Sequence, residues 1–140
     1  MDQQKVLILC TGNSCRSQMA EGFMRQMAPD WKVRSAGTQP AAKVHPMAAY
    51  VMGEEGIDLS NHTPQKVQMY LAHPWDLVIT VCGGAQESCP SFSGEVGQRL
   101  HLGFEDPSAL SGTEAECLDG FRQIRNQIKA AVTDLVAKRS

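Results

Sequence analysis

A cysteine and an arginine bracket five small residues in Cys10-Thr11-Gly12-Asn13-Ser14-Cys15-Arg16-Ser17. A short turn rich in Gly, Asn and Ser can aim successive backbone N–H groups at one point, and a helix starting at its far end adds its dipole. Arg16 closes the ring with a planar fork that matches two oxygens of a tetrahedral oxyanion. Cys10 then lies under the centre of the anion. The same positive field is expected to lower its thiol pKa and so supply a thiolate nucleophile near neutral pH. Thr11, Gly12, Asn13, Ser14, Cys15, Arg16 and Ser17 are the expected oxyanion-binding residues. A bare Cys-x5-Arg recurs by chance in ordinary turns. Set after an apolar strand and before an amphipathic helix, it reads as the cradle of an oxyanion enzyme.

A tetrahedral substrate also needs an acid for its leaving oxygen. Glu105-Asp106-Pro107 follows a strand candidate, at the carboxyl end where α/β sheets bind ligands. Asp106 is the candidate acid, with Pro107 stiffening the loop.

Five cysteines occur in the chain: Cys10, Cys15, Cys82, Cys89 and Cys117. An odd number without a CxxC or a zinc-like spacing argues against both a disulfide framework and a closed metal site, so no metal is expected. Two reactions stay open on these residues. A phosphatase needs Cys10 alone, because water hydrolyses its thiophosphate. A reductase of an oxyanion such as arsenate needs a second thiol, which attacks the Cys10 sulfur and leaves two electrons on arsenic. Cys82 ends an apolar strand, and neighbouring strands of a parallel sheet share one carboxyl edge, so Cys10 and Cys82 are expected close together. Cys89 lies seven residues on, past Gly83 and Gly84. In a rigid helix that spacing separates the Cα atoms by about 10 Å, beyond the roughly 7 Å limit for a disulfide. A Cys82–Cys89 bond therefore demands that the segment rearrange. Cys15 is expected to point into the structure beneath the loop, and Cys117 stands outside any constellation.

These residues need elements to hold them. Residues 5–10 form a nearly continuous apolar run, as does a strand covered on both faces, and 77–82 repeats the pattern with more β-branching. Val33–Ala36 and Arg99–Phe104 are weaker strand candidates. Ser17 is the expected cap of a helix with Met19, Ala20, Phe23, Met24 and Met27 at helical spacing, stopped by Pro29. Further helices are expected over Pro46–Met52, ended by Gly56, and over Pro64–Leu71. The last helix has one apolar stripe, Leu118, Phe121, Ile124, Ile128, Val132 and Leu135, behind a Thr113/Glu116 capping box. The alternation reads as an α/β fold around a parallel sheet. Its Met and Phe side chains are core.

The chain has 140 residues, 42% apolar and 20% charged, with 13 basic and 15 acidic side chains and a net charge of −2. That length suits one domain over 1–140. The charge balance argues against a nucleic-acid partner, and the apolar fraction against disorder. No run approaches a membrane span, and the first residues do not read as a secretory signal. The expected location is cytoplasmic.

At this point a family resemblance is visible. Cys10 to Gly22 resembles the opening of the thioredoxin-coupled arsenate reductases, relatives of the low-molecular-weight protein tyrosine phosphatases. The likeness continues through Ser35-Ala36-Gly37, Gly56 to Thr63, Asp76 to Cys82, Cys89-Pro90, Gly103-Phe104 and Asp106-Pro107. The Cys82…Cys89-Pro90 pair is its most specific part. The resemblance implies a four-stranded parallel sheet flanked by helices and a three-cysteine relay that detoxifies arsenate. In it Cys10 is the nucleophile, Cys82 and Cys89 resolve in turn through Cys10–Cys82 and Cys82–Cys89 disulfides, and thioredoxin recycles the last. Arg16 would bind the oxyanion and Asp106 act as acid. No cofactor is implied, and a monomer is expected. Ser108 stands where the phosphatase branch usually has tyrosine, which favours the reductase. The alternatives are a low-molecular-weight phosphotyrosine phosphatase and a glutathione/glutaredoxin-coupled reductase, whose resolving cysteines lie closer together. Some members hold potassium through residues matching Asn13, Glu21 and Ser35 plus an acidic group after Thr63. Here that stretch reads Pro64-Gln65-Lys66, so the resemblance implies at most a weak potassium site. The stretch from Ser108 to Glu116 lies outside the likeness.

Overall fold

A computed structural model describes residues 3–83 and 90–139. Four strands, β1 (Lys5–Cys10), β2 (Lys32–Gly37), β3 (Trp75–Thr80) and β4 (Val96–His101), form one parallel sheet in the order β2-β1-β3-β4. Among the described residues the α-helices are α1 (Arg16–Met27), α2 (Pro46–Gly53) and α3 (Glu114–Arg139). Val6, Leu7, Ile8 and Leu9 are fully buried on the central strand, as are Leu77, Val78 and Ile79 on β3. This is why both strands read as unbroken apolar runs: helices cover the sheet, and no alternation survives. α3 packs against α1 and α2 through Phe121, Ile124, Ile128 and Val132. Among the described residues no helix is long and apolar enough to cross a membrane.

Several boundaries depart from the sequence expectation. α1 begins at Arg16 and its N-cap is Cys15, with no side-chain cap bond. Ser17 is not the cap: it lies inside the first turn, fully buried, where its hydroxyl accepts from Asn13 Nδ2 at 2.7 Å. The stop is as expected, because the residue before a proline disfavours the helical region, and α1 ends just short of Pro29. Residues 64–71 contain only a 3-10 turn, Val67–Tyr70. β3 starts two residues before the expected 77 and ends at Thr80, leaving Val81 and Cys82 beyond it. Val81 N–H still donates to the Leu9 carbonyl at 2.9 Å, so Cys82 stays at the same edge as Cys10.

β4 is displaced furthest, covering Val96–His101 instead of 99–104. It is an edge strand and mostly exposed, so its ladder needs no apolar side chains and Gly97-Gln98-Arg99 carries no strand signal. The apolar residues that suggested the later range, Leu102 and Phe104, follow the strand and donate their N–H groups to the Thr80 and Val81 carbonyls. The Thr113/Glu116 box forms in both directions: Thr113 Oγ1 accepts Glu116 N–H at 3.1 Å and Glu116 Oε1 accepts Thr113 N–H at 3.3 Å. The stretch outside the likeness opens within a 3-10 turn, Pro107–Ala109.

Candidate active site

The loop from Cys10 to Arg16 joins β1 to α1, and four of its carbonyls are drawn to the segment that follows β2. Those of Cys10, Thr11, Gly12 and Ser14 accept the N–H groups of Thr38, Gln39, Ala41 and His45 at 2.9–3.2 Å. Asn13 C=O accepts Gln18 Nε2 at 3.1 Å. In a trans peptide the N–H points away from the C=O it is bonded to, so the amides of Thr11, Gly12, Asn13 and Cys15 turn away from the 38–45 segment. Asn13 makes the bend possible by taking a left-handed φ of 52°, which asparagine tolerates better than most residues. Gly37 fits against the inside of the bend. A Cβ there would stand 2.5 Å from the Thr11 carbonyl oxygen, so only glycine is accommodated.

Asn13 is fully buried and fully bonded. Its Nδ2 donates to Ser17 Oγ at 2.7 Å and Ser35 Oγ at 2.9 Å, and its Oδ1 accepts Gln65 N–H at 2.9 Å. Gln18 lies beneath it and contacts His62 Nδ1 at 3.0 Å.

Arg16 stands at the loop's far end. Its Nη1 donates to the Phe104 carbonyl at 3.0 Å, and its Nη2 lies 3.7 Å from Asp106 Oδ2. Its buried Nε has no hydrogen-bond partner among the described residues. Asp106, whose side chain is 42% exposed, is oriented by Ser108, which donates to Oδ1 from both its N–H (3.0 Å) and its hydroxyl (2.7 Å). A cation and a carboxylate from opposite ends of the chain thus flank one loop.

Cys10 and Cys82 are both buried and their side chains are hydrogen-bonded to each other. Thr11 Oγ1 lies 3.4 Å from Cys82 Sγ. Cys89 falls outside the described residues. The hydrogen bond to Cys82 and burial hold the Cys10 thiol far above the usual thiol range, against the downward pull of Arg16 and of the Thr11 N–H. The expected lowering of the Cys10 pKa is corrected for this arrangement. Arginine and amides act as anticipated, but a second thiol facing the first outweighs them. Cys15 is buried beside Ser14, and burial pushes its thiol up to about 11. Cys117 sits half-buried in the first turn of α3, 3.7 Å from the Leu110 carbonyl.

The three side chains named for potassium, Asn13, Glu21 and Ser35, do come together, but their donor set does not fit a resident cation. Asn13 turns its amide nitrogen to Ser35 and keeps its oxygen for N–H groups. Glu21 Oε1 accepts the Ser35 hydroxyl and Oε2 pairs with Arg25 Nη2 at 2.6 Å. The carboxylate of the implied weak potassium site is thus already paired with an arginine. Arg25, Thr11's contact with Cys82, Gly37 and Ser108's hold on Asp106 were not anticipated from sequence. Only the i, i+4 spacing of Glu21 and Arg25 could have signalled one of them.

The family model for low molecular weight phosphotyrosine protein phosphatase matches residues 5–139. The chain is 43% identical over 129 residues to the arsenate reductase of Bacillus subtilis, covering 91% of each chain. It is 39% identical over 139 residues to that of Staphylococcus aureus, covering 99% of this chain and all of the relative. Among solved structures, an arsenate reductase in its phosphate-binding state superimposes with a TM-score of 0.82 at 37% identity, over 99% of this chain and 100% of the other. A tyrosine phosphatase of Erwinia amylovora shares the fold, with a TM-score of 0.79 at 21% identity over 98% of this chain and 93% of the other. A cysteine-to-arginine loop between the central strand and the first helix, matched over nearly the whole chain, leaves one assignment: the protein belongs to the low molecular weight phosphotyrosine protein phosphatase family, and its relatives at about 40% identity are arsenate reductases.

Proposed function

We propose that this chain reduces arsenate to arsenite by a three-cysteine relay recycled by thioredoxin, serving arsenic detoxification in the cytoplasm as a monomer. The observation that carries the reading is the pairing of two buried thiols, Cys10 and Cys82, at the base of the loop. Hydrolysis needs one thiol there; reduction needs two. The names and coverage of the relatives support the same choice.

Arsenate enters the loop against the amides from Thr11 to Cys15 and the Arg16 guanidinium, whose unpartnered Nε supports this role. Cys10 passes its thiol proton to the bound oxyanion and attacks arsenic as the thiolate; an As–O bond breaks, and its oxygen leaves as water with a further proton from Asp106. The Cys82 sulfur then attacks the Cys10 sulfur. An S–S bond forms, the S–As bond breaks, and its electron pair stays on arsenic as As(III). Cys89 displaces Cys10 from Cys82, and the two thiols of thioredoxin reduce the Cys82–Cys89 bond. The same cradle accepts phosphate monoesters, so slow aryl phosphate hydrolysis through Cys10 is expected beside the main reaction.

The test is a single-turnover arsenite assay with disulfide mapping by mass spectrometry. Cys10→Ser oxidises no thiol in response to arsenate. Cys82→Ser releases no arsenite without added thiol, and Cys89→Ser releases one equivalent and accumulates Cys10–Cys82. A full equivalent from Cys82→Ser with none from Cys89→Ser overturns the order of the relay. Aryl phosphate turnover that exceeds arsenate turnover and survives Cys82→Ser would assign the chain to the phosphatases instead.

A further inference from the structure

Glu21 anchors a line of side chains that ends at the loop. It lies on α1 with 6% of its surface exposed, and a carboxylate so placed requires a positive partner. Its Oε1 accepts the Ser35 hydroxyl at 2.5 Å, and Ser35 Oγ accepts Asn13 Nδ2 at 2.9 Å. Asn13 is the residue that carries the loop through its left-handed bend. On the other side, Glu21 Oε2 meets Arg25 Nη2 at 2.6 Å. The same Nη2 donates to the Val33 carbonyl of β2 at 3.0 Å, which fixes the guanidinium over the carboxylate.

The geometry points to Arg25 as a tethered cation. Its guanidinium gives Glu21 the charge that an alkali-metal ion would otherwise bring to the oxygens of Glu21 and Ser35. Through Glu21 and Ser35 it is a positioning residue for Asn13 and the oxyanion loop. The inference rests on reading that loop as an oxyanion cradle. Two consequences follow from the charge alone. With Arg25 in place, potassium has nothing to neutralise and the chain is indifferent to it. With Arg25 truncated, a buried carboxylate is left unpaired and draws an ion from solution. A cavity of about 310 Å³, lined in part by Glu21, Arg25, Arg34 and Ser35, gives that ion a route. Arg34 points its Nη1 at its neighbour's carbonyl, Val33 C=O, at 2.9 Å, whereas Arg25 holds the ion pair.

The experiment measures inorganic phosphate affinity by titration calorimetry and Tm by thermal denaturation. Both are done in potassium chloride and in choline chloride at equal ionic strength. The wild-type chain gives the same affinity and Tm in both salts. Arg25→Gln in choline chloride binds phosphate roughly tenfold more weakly, within the usual range of coupling between neighbouring sites, and melts lower; potassium chloride restores both. The double variant Glu21→Gln/Arg25→Gln, which lacks the charge to be neutralised, gives the same phosphate affinity and the same Tm in both salts. The proposal is overturned by a wild type that responds to potassium, by an Arg25→Gln variant unchanged in choline chloride, or by one that potassium does not rescue. Should Arg25→Gln fail to fold, a double variant that also fails to fold overturns it. A wild-type chain that binds no phosphate in either salt defeats the cradle reading instead, while the Tm comparison still decides the role of Arg25.

Discussion

Thr11 and Cys82, seventy-one positions apart, meet side chain to side chain, with Thr11 Oγ1 3.4 Å from Cys82 Sγ. The contact joins the loop to the thiol proposed to resolve it. Thr11→Val keeps the shape and removes the hydroxyl. A neutral hydrogen bond contributes about 1 kcal/mol net, so arsenite release in a single turnover should slow by roughly fivefold. Alkylation of Cys10 should be little affected. Equal slowing of both steps would mean that Thr11 serves the loop as a whole and not Cys82.

The Cys10 thiol is held protonated chiefly by its bond to Cys82. Removing that partner in Cys82→Ala leaves burial to raise the pKa and Arg16 with the Thr11 N–H to lower it. The midpoint for Cys10 alkylation against pH, followed by mass spectrometry, should therefore fall relative to wild type. A midpoint that stays put or rises would show that burial dominates.

Cys15 sets a pH limit on stability. Its thiol stands near 11 in the fold, against about 9 when free, so the folded state holds this proton more tightly than the unfolded one. The contribution is complete below about pH 9 and is lost as pH rises from about 9 through 11. Urea denaturation across that window should show a steeper decline for the wild type than for Cys15→Ala. Parallel curves would remove Cys15 from the account.

Arg16→Lys keeps the charge and loses the fork. A charge-assisted hydrogen bond contributes about 1.5–3 kcal/mol, so phosphate affinity should fall by roughly tenfold to a hundredfold. Near-normal affinity, measured by calorimetry, would show that the guanidinium is not a ligand.

Phe121 ties the last helix to the loop's support. Its ring lies 4.8 Å from that of His45, whose N–H donates to Ser14 C=O at 2.9 Å. Phe121→Ala empties a fully buried site and should lower stability by about 3–5 kcal/mol in urea denaturation. Phosphate affinity should weaken with it. A loss below 1 kcal/mol would mean that the helix closes over the gap.

Local spacing was enough to read the central strand, the loop and the last helix. Cys10 to Arg16 is a chemical pattern within one turn, and the stripe from Leu118 to Leu135 is a period that only a helix satisfies. The parallel sheet followed because β1 and β3 are covered on both faces and so carry no alternation. β4 was misplaced because an exposed edge strand is held by backbone bonds, which leave no mark on side-chain pattern. Ser17 has the residue type of a cap, yet buried Asn13 claims its hydroxyl. The protonation of Cys10 was misread although Cys82 was expected beside it, because the burial of both thiols and the bond between them are set by packing. Arg25 and Glu21 show the division most clearly. Their spacing is written in α1, but Ser35 and Val33 on β2 tie an exposed arginine and a buried glutamate into a link to the loop. Periodicity and residue chemistry act along the chain; charge, desolvation and hydrogen-bond partners depend on what folding brings alongside.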